Sequence, residues 1–344
     1  MKHIYLTACR TVAPALGLIL GGILIGVFGE AFQIRVAYLF FVNLVIVAGL
    51  QIFMGNSNVA SLGHIAFAGI AAYVVAVLHT PVALKATLIP NAPFGLAEIQ
   101  LDFVTSSIIA LIITVACAWV SGLGLCRLTG VAATIGTLAL LVIVHVVLIN
   151  WINITRGPRA FFGIPVALSL PWAIGVSVFA IFVAKLFRDS RDGLQLRASG
   201  DNSLAARSMG VDVTRVRLKA WILSAFVVGL GGILFTLFMG TIAPKSFYFH
   251  LTFLTIAMLI LGGMRSVSGA IVGTIVIAVG FELVRGLENG PEVFGIQLPT
   301  MFGLTGFFLG AIIVLVLAFR PDGILGNDEF EDYWRLFRAR KNTS

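Results

Sequence analysis

Few residues in this 344-residue chain can do chemistry. His64, His145 and Glu282 fall within long apolar runs, where a titratable group can serve a proton or ion relay. Each has a blander alternative beside it. His145 reads first as a neutral histidine bonded to a neighbouring helix rather than a relay, His64 as a helix-terminus or gate residue or equally a satisfied structural histidine, and Glu282 as an acid near the interface. Cys9, Cys117 and Cys126 lack metal-ligand spacing and read as small apolar filler, so no metal site is expected. The chain has no G-x-x-x-x-G-K-[ST] phosphate cradle, no H-E-x-x-H, no G-x-S-x-G and no acid pair within one apolar run. It reads as a non-enzyme that binds no cofactor of its own. Any ATP-driven step would have to be carried by another chain.

The elements that must position these residues are membrane helices. Hydrophobic residues make up 59% of the chain and charged ones 11%, with a mean hydropathy of +1.05. A soluble domain needs roughly 25% charged residues to face water, so lipid must be the solvent for most of this surface. Strand-like alternation is absent, which leaves an all-α polytopic fold as the expectation. Spans are predicted near 11–29, 36–54, 61–79, 103–124, 131–150, 171–187, 218–240, 250–264, 267–285 and 300–319, about ten in one transmembrane domain covering 1–344. The segments starting near Ser61 and His250 are the weakest and are candidates for re-entrant stretches. The first run is longer than a signal-peptide core of about 7–15 residues. Glu30 and Phe32 also stand where small cleavage-site residues belong, so it reads as a retained span.

With ten spans and an inner N-terminus, only Arg35, Lys85, Arg156, Arg159, Lys245 and Arg285 fall on the outer side. The remaining 17 of the 23 Lys and Arg fall on the inner side, as the positive-inside rule requires, and both termini are then cytoplasmic.

The most informative stretch is 188–217, a basic loop between spans six and seven. Asp201 or Asn202 can cap a short helix, Leu204-Ala205-Ala206 propagates it, and Gly210 supplies a left-handed terminator. Leu204, Ser208 and Val211 share one face, with Ala205 and Met209 beside them. So short a helix needs a packing partner, either this chain's own membrane face or a groove on another protein. An ordinary basic loop that only fixes topology fits the composition as well.

Several strings resemble one family. Gly193-Leu194-Gln195-Leu196-Arg197-Ala198, then Leu204-Ala205-Ala206 with Gly210, then Val213 to Trp221, are similar to the inner permease subunit of bacterial branched-chain amino-acid ABC importers, the LivM-like family. Ser61-Leu62-Gly63-His64-Ile65-Ala66-Phe67, Arg127-Leu128-Thr129-Gly130 with Thr137-Leu138-Ala139, Thr155-Arg156-Gly157, Leu261-Gly262-Gly263-Met264-Arg265 and Arg320-Pro321-Asp322-Gly323-Ile324-Leu325-Gly326 follow in family order. The resemblance runs from about residue 36 to 326. The chain departs from the family pattern at Ser203-Leu204, where an acid is usual, at Asn58-Val59, and at Arg265.

The resemblance implies an ABC importer permease fold in the bacterial inner membrane. A second permease subunit, two cytoplasmic ATPase subunits using ATP, and an extracytoplasmic solute-binding protein are its implied partners. It further implies an ATPase-coupling helix built from Asp201, Leu204, Ala205, Ala206, Arg207, Met209 and Gly210. Ser61, Gly63, His64, Thr137, Gly262 and Gly263 are the pathway or gate candidates, since broken helix ends free backbone groups that can face an aqueous path. The implied solute is leucine, isoleucine or valine. Urea, short amides or another small solute, and a stand-alone secondary carrier or channel, remain as alternatives.

Overall fold

The computed structural model describes residues 16–288, 290, 292–293, 296–297, 302–319, 322–326 and 328–330. Lys2, Cys9, Arg10, the start of the 11–29 span, Arg320, Pro321 and the tail cations Arg335, Arg338, Arg340 and Lys341 lie outside them. Two compact units are present, 1–252 and 253–344.

In the first unit the long helices are α1 (Leu16–Phe28), α2 (Ala31–Ser57), α3 (His64–His79), α5 (Phe103–Leu125), α6 (Gly130–Asn150), α8 (Leu170–Asp189) and α11 (Val213–Met239). Shorter pieces link them: α4 (Val82–Leu88), α7 (Ile152–Thr155), α9 (Arg191–Asp201) and α10 (Ser203–Ser208). α12 (Phe249–Gly262) leads into the second unit, which holds α13 (Val267–Glu288) and α14 (Leu304–Phe319). Two antiparallel ladders of two residues each, Phe161–Phe162 with Thr241–Ile242 and Glu292–Val293 with Ile296–Gln297, are the strands among the described residues.

Every predicted span has a helix in its place. By length and apolarity, seven of the described helices can cross a bilayer, or eight if α3 and α4 count as one broken span. α1 and α14, at 13 and 16 described residues, are shorter than the roughly 20 a full crossing needs. α4 turns 117° from α3, so the weak segment at 61–79 does end in a sharp break.

The core of the first unit is α2, α3 and α11. Small residues decide why these three touch so closely. A Cβ on Gly232 would lie 2.2 Å from the Ala68 carbonyl oxygen, and one on Gly49 would lie 2.9 Å from the Val228 backbone nitrogen. Only glycine lets the backbones approach so far, and in lipid that close contact replaces the hydrophobic drive. Tyr38, Ile46, Phe67, Ala71 and Val228 are each about fully buried around these crossings. α5 and α6 keep broad apolar faces outward, including Ile112, Val120, Val131 and Ile135, as lipid-facing helices should.

Candidate functional site

Two groups of the sequence-predicted residues come together as sites, and a third is packed shut. The first is the inner loop, which is more ordered than predicted. α9 is a helix of its own, absent from the sequence reading, and it is bolted to three helix ends. A Cβ on Gly193 would lie 2.1 Å from the Phe187 carbonyl oxygen, and one on Gly200 would lie 3.1 Å from that of Ser57. Arg197 donates to the Asn56 side chain at 3.1 Å and to the Arg188 carbonyl at 2.8 Å. Lys219 on α11 closes an ion pair with Asp192 at 2.9 Å.

α10 then stands out from this platform. Its N-cap is Asn202, whose Oδ1 accepts from Leu204 N at 3.1 Å and Ala205 N at 3.0 Å. Asp201 is instead the last residue of α9, because Asn202 holds the extended cap conformation. Gly210 sits at φ +81 and ends the element, as its residue type predicts. The expected apolar face is not laid on this chain's own helices. Leu204 is 76% and Met209 85% exposed, Ala205, Arg207 and Ser208 are exposed too, and only Ala206 turns inward.

The second group is the break before α3. Asn58 takes a left-handed conformation (φ 55) and ends α2, and the chain runs irregularly until His64. Ser61 Oγ and His64 Nδ1 share a hydrogen bond at 2.7 Å. Leu62 N donates to Thr137 Oγ1 at 3.2 Å, and Thr134 Oγ1 donates to the Ala60 carbonyl at 3.0 Å. A Cβ on Gly63 would lie 2.4 Å from the Thr137 carbonyl oxygen, so glycine is what brings the break against α6. Ser61, Gly63, His64 and Thr137 therefore form one cluster across 75 residues of sequence. The sequence did not reveal its aromatic wall. The His64 ring lies 4.5 Å from Trp221, 5.2 Å from Phe53 and 6.1 Å from Phe67, centroid to centroid. Arg217, one turn before Trp221, donates to the Leu128 carbonyl at 3.0 Å and ties α11 to the turn between α5 and α6.

The third group, Gly262 and Gly263, lies in the second unit. Sequence reasoning expects freed backbone there to face an aqueous path. Instead the Leu261 and Gly262 carbonyls accept from Ile324 N at 2.8 Å and Leu325 N at 3.0 Å. A Cβ on Gly262 would meet the Gly269 carbonyl oxygen at 1.8 Å, so this is a backbone-to-backbone helix crossing. His145 stacks on Tyr248, centroids 3.7 Å apart and planes within 8°. Glu282 lies 4.0 Å from Arg285 in an i,i+3 pair. Among the described residues no group of three or more His, Cys, Asp or Glu is placed to hold a metal ion.

Comparison with known proteins follows this geometry. Residues 32–317 match the family described as "Branched-chain amino acid transport system / permease component". The chain is 26% identical over 327 residues to the high-affinity branched-chain amino acid transport system permease protein LivM of Salmonella typhimurium, covering 85% of this chain and 70% of that one. It is 34% identical over 166 residues to the probable branched-chain amino acid transport permease protein LivH of Methanocaldococcus jannaschii, 46% of this chain and 47% of that one. It is 30% identical over 161 residues to the autoinducer 2 import system permease protein LsrC of Escherichia coli, 43% of this chain and 45% of that one. No solved structure matches. With seven or eight described helices long and apolar enough to cross a bilayer and a family match over most of its length, the chain is a multi-pass membrane protein that belongs to the branched-chain amino acid transport permease family.

Proposed function

We propose that this chain is the permease subunit of an ATP-driven importer. It forms, with a second permease subunit, the translocation path for leucine, isoleucine and valine. Two ATPase subunits bind the coupling helices of the permease pair from the cytoplasm, α10 being this chain's, and an external solute-binding protein delivers the solute. The N- and C-termini are cytoplasmic in this reading. The observation that carries it is the handle: α10, with Leu204 and the following Met209 turned outward, on a platform fixed to the ends of α2, α8 and α11. A helix of six residues is marginal in water alone, so exposed Leu204 and Met209 are best explained by a groove on another protein.

In this mechanism, ATP-driven movement of the partner subunits pushes α10, and α9 passes the push to the attached helices. His64 and its Ser61–Thr137 frame stand where α2 stops and α3 begins, close to the start of α11, and they serve as the gate responding to that push. The His64 side chain orders the break and needs no change of charge to do so. The LsrC relatives favour a second reading, the same machine for a different small polar solute.

The test is ATPase stimulation by loaded binding protein in proteoliposomes. Ala206→Glu places a charge at the one inward position of α10, and Gly210→Pro demands a φ near −65° where the backbone holds +81. Both variants insert normally and lose stimulation by tenfold or more. Stimulation equal to wild type in both would refute the handle. Thermal stabilisation of the binding protein by leucine, compared with that by autoinducer 2, separates the two solute readings.

A further inference from the structure

The break between α12 and α13 is closed by the chain's own C-terminal segment, and the closure is built from several independent contacts. Val267 N donates to Glu329 Oε1 at 2.9 Å and Ser268 N to Glu329 Oε2 at 3.0 Å, with Ser268 Oγ donating to that same oxygen. Both carboxylate oxygens are thus used to cap the first turn of a 22-residue helix. The acid is only 2% exposed. Ser266 Oγ donates to the Asp328 carbonyl at 2.8 Å, and Phe330 N donates to Ser268 Oγ at 3.3 Å. On the other side, Ile324 and Leu325 donate to the carbonyls of Leu261 and Gly262. Glycine permits the approach. Gly263 holds φ +120, Gly323 φ +79 and Gly326 φ +59, and a Cβ on Gly323 would stand 2.6 Å from Gly263 N.

Ser266 Oγ already accepts from Gly269 N at 3.0 Å as a local cap, so the buried carboxylate of Glu329, distant in sequence, is a second cap on the same turn. We propose that Glu329 is a positioning residue for translocation: residues 322–326 and 328–330 form a strap that fixes the angle between α12 and α13, and Glu329 is its fastening. The strap accepts from the Val267 and Ser268 amides and donates to the Leu261 and Gly262 carbonyls, so it holds both sides of the break at once and the hairpin moves as a single piece. The role in transport rests on the importer reading, while the strap itself does not.

The experiment uses the full chain with its partner subunits in proteoliposomes, with two readouts. The first is leucine uptake by wild type, Glu329→Ala and Glu329→Asp. The alanine variant lowers maximal uptake at least fivefold with KM for leucine unchanged, and the aspartate variant, which keeps both acceptors, recovers at least half. The second is labelling of Val267→Cys, a 1% exposed position, by a water-soluble maleimide, corrected for the native cysteines. Labelling is slow with Glu329 present and at least tenfold faster in the Glu329→Ala background. If the alanine variant does not reach the membrane, Glu329→Gln, which retains the volume and loses one acceptor, takes its place. Wild-type uptake by the alanine or glutamine variant overturns the proposal, and so does lost uptake with unchanged labelling. If the wild-type chain itself moves no leucine, the importer reading fails while the labelling result still decides the strap.

Discussion

Removing the cap of α10 with Asn202→Ala tests the handle at its weakest joint. Asn202 Oδ1 is the side-chain cap of the first turn, accepting from both Leu204 N and Ala205 N. Replacing such a cap by Ala costs about 1 kcal/mol of helix stability, within a range of roughly 0.5–2. α10 has six residues and buries only Ala206, so it has little else to absorb the loss. A change of about 1 kcal/mol shifts its folded fraction by about fivefold, and a partner that binds only the formed helix sees its apparent affinity fall by the same factor. Two assays read this. Hydrogen exchange at 203–208 should speed up by about fivefold while 213–239 is unchanged. The ATPase concentration giving half-maximal coupling should rise by about the same factor. Asn202→Asp, which restores the acceptor, should return both to wild type. If exchange quickens as expected while coupling stays at the wild-type value, α10 is not the gripped element and the reasoning fails.

Three further outcomes follow from the structure. Gly232→Ala sets a methyl 2.2 Å from the Ala68 carbonyl and should destabilise the bundle by about 1–3 kcal/mol, read as a lowered melting temperature in detergent. Gly124→Ala, with open space around its Cβ, should be neutral or stabilising in the same assay. Asp102, the N-cap of α5 outside the spans, is held below the ordinary aspartate range by the Thr105 hydroxyl first, then by the Thr105 and Val104 amides. Its folded value is depressed, so its stabilisation is complete above the unfolded value and is lost as pH falls through the folded one. Melting curves from pH 6 downward should show wild type losing its advantage over Asp102→Ala only in the acid limb. A difference that is flat with pH would contradict this.

The helical body was legible because crossing hydrocarbon demands long apolar runs, and runs such as 36–54 and 218–240 have few competing readings. α9 was not, because Arg191 to Asp201 carries Gly193, Gly200 and alternating charges, which deny it an apolar period. Its stability comes from Gly200 against Ser57 and Arg197 on Asn56, contacts that lie far apart in sequence. The cap at Asn202 and the stop at Gly210 were readable, since both follow from local backbone chemistry. At the α3 break, Gly63 and Ser61 marked an interruption, but nothing near them pointed to Thr137 as the partner or to Phe53 and Trp221 as the wall. Glu329 was the least visible residue of all. It sits in a charged tail, Asp328-Glu329-Phe330-Glu331-Asp332, where composition argues for solvent.

The glycines beneath α9 decide how the membrane body responds to a load on its inner side. Because Gly193 and Gly200 rest directly on the carbonyls of Phe187 and Ser57, no compressible side chain cushions those seats. Displacement arriving there enters α2 and α8 without slack, and α2 lies at the stiff centre of the bundle rather than on its lipid-facing rim. In the importer reading, a displacement of α9 therefore reaches the helix that ends at the histidine break through backbone contact.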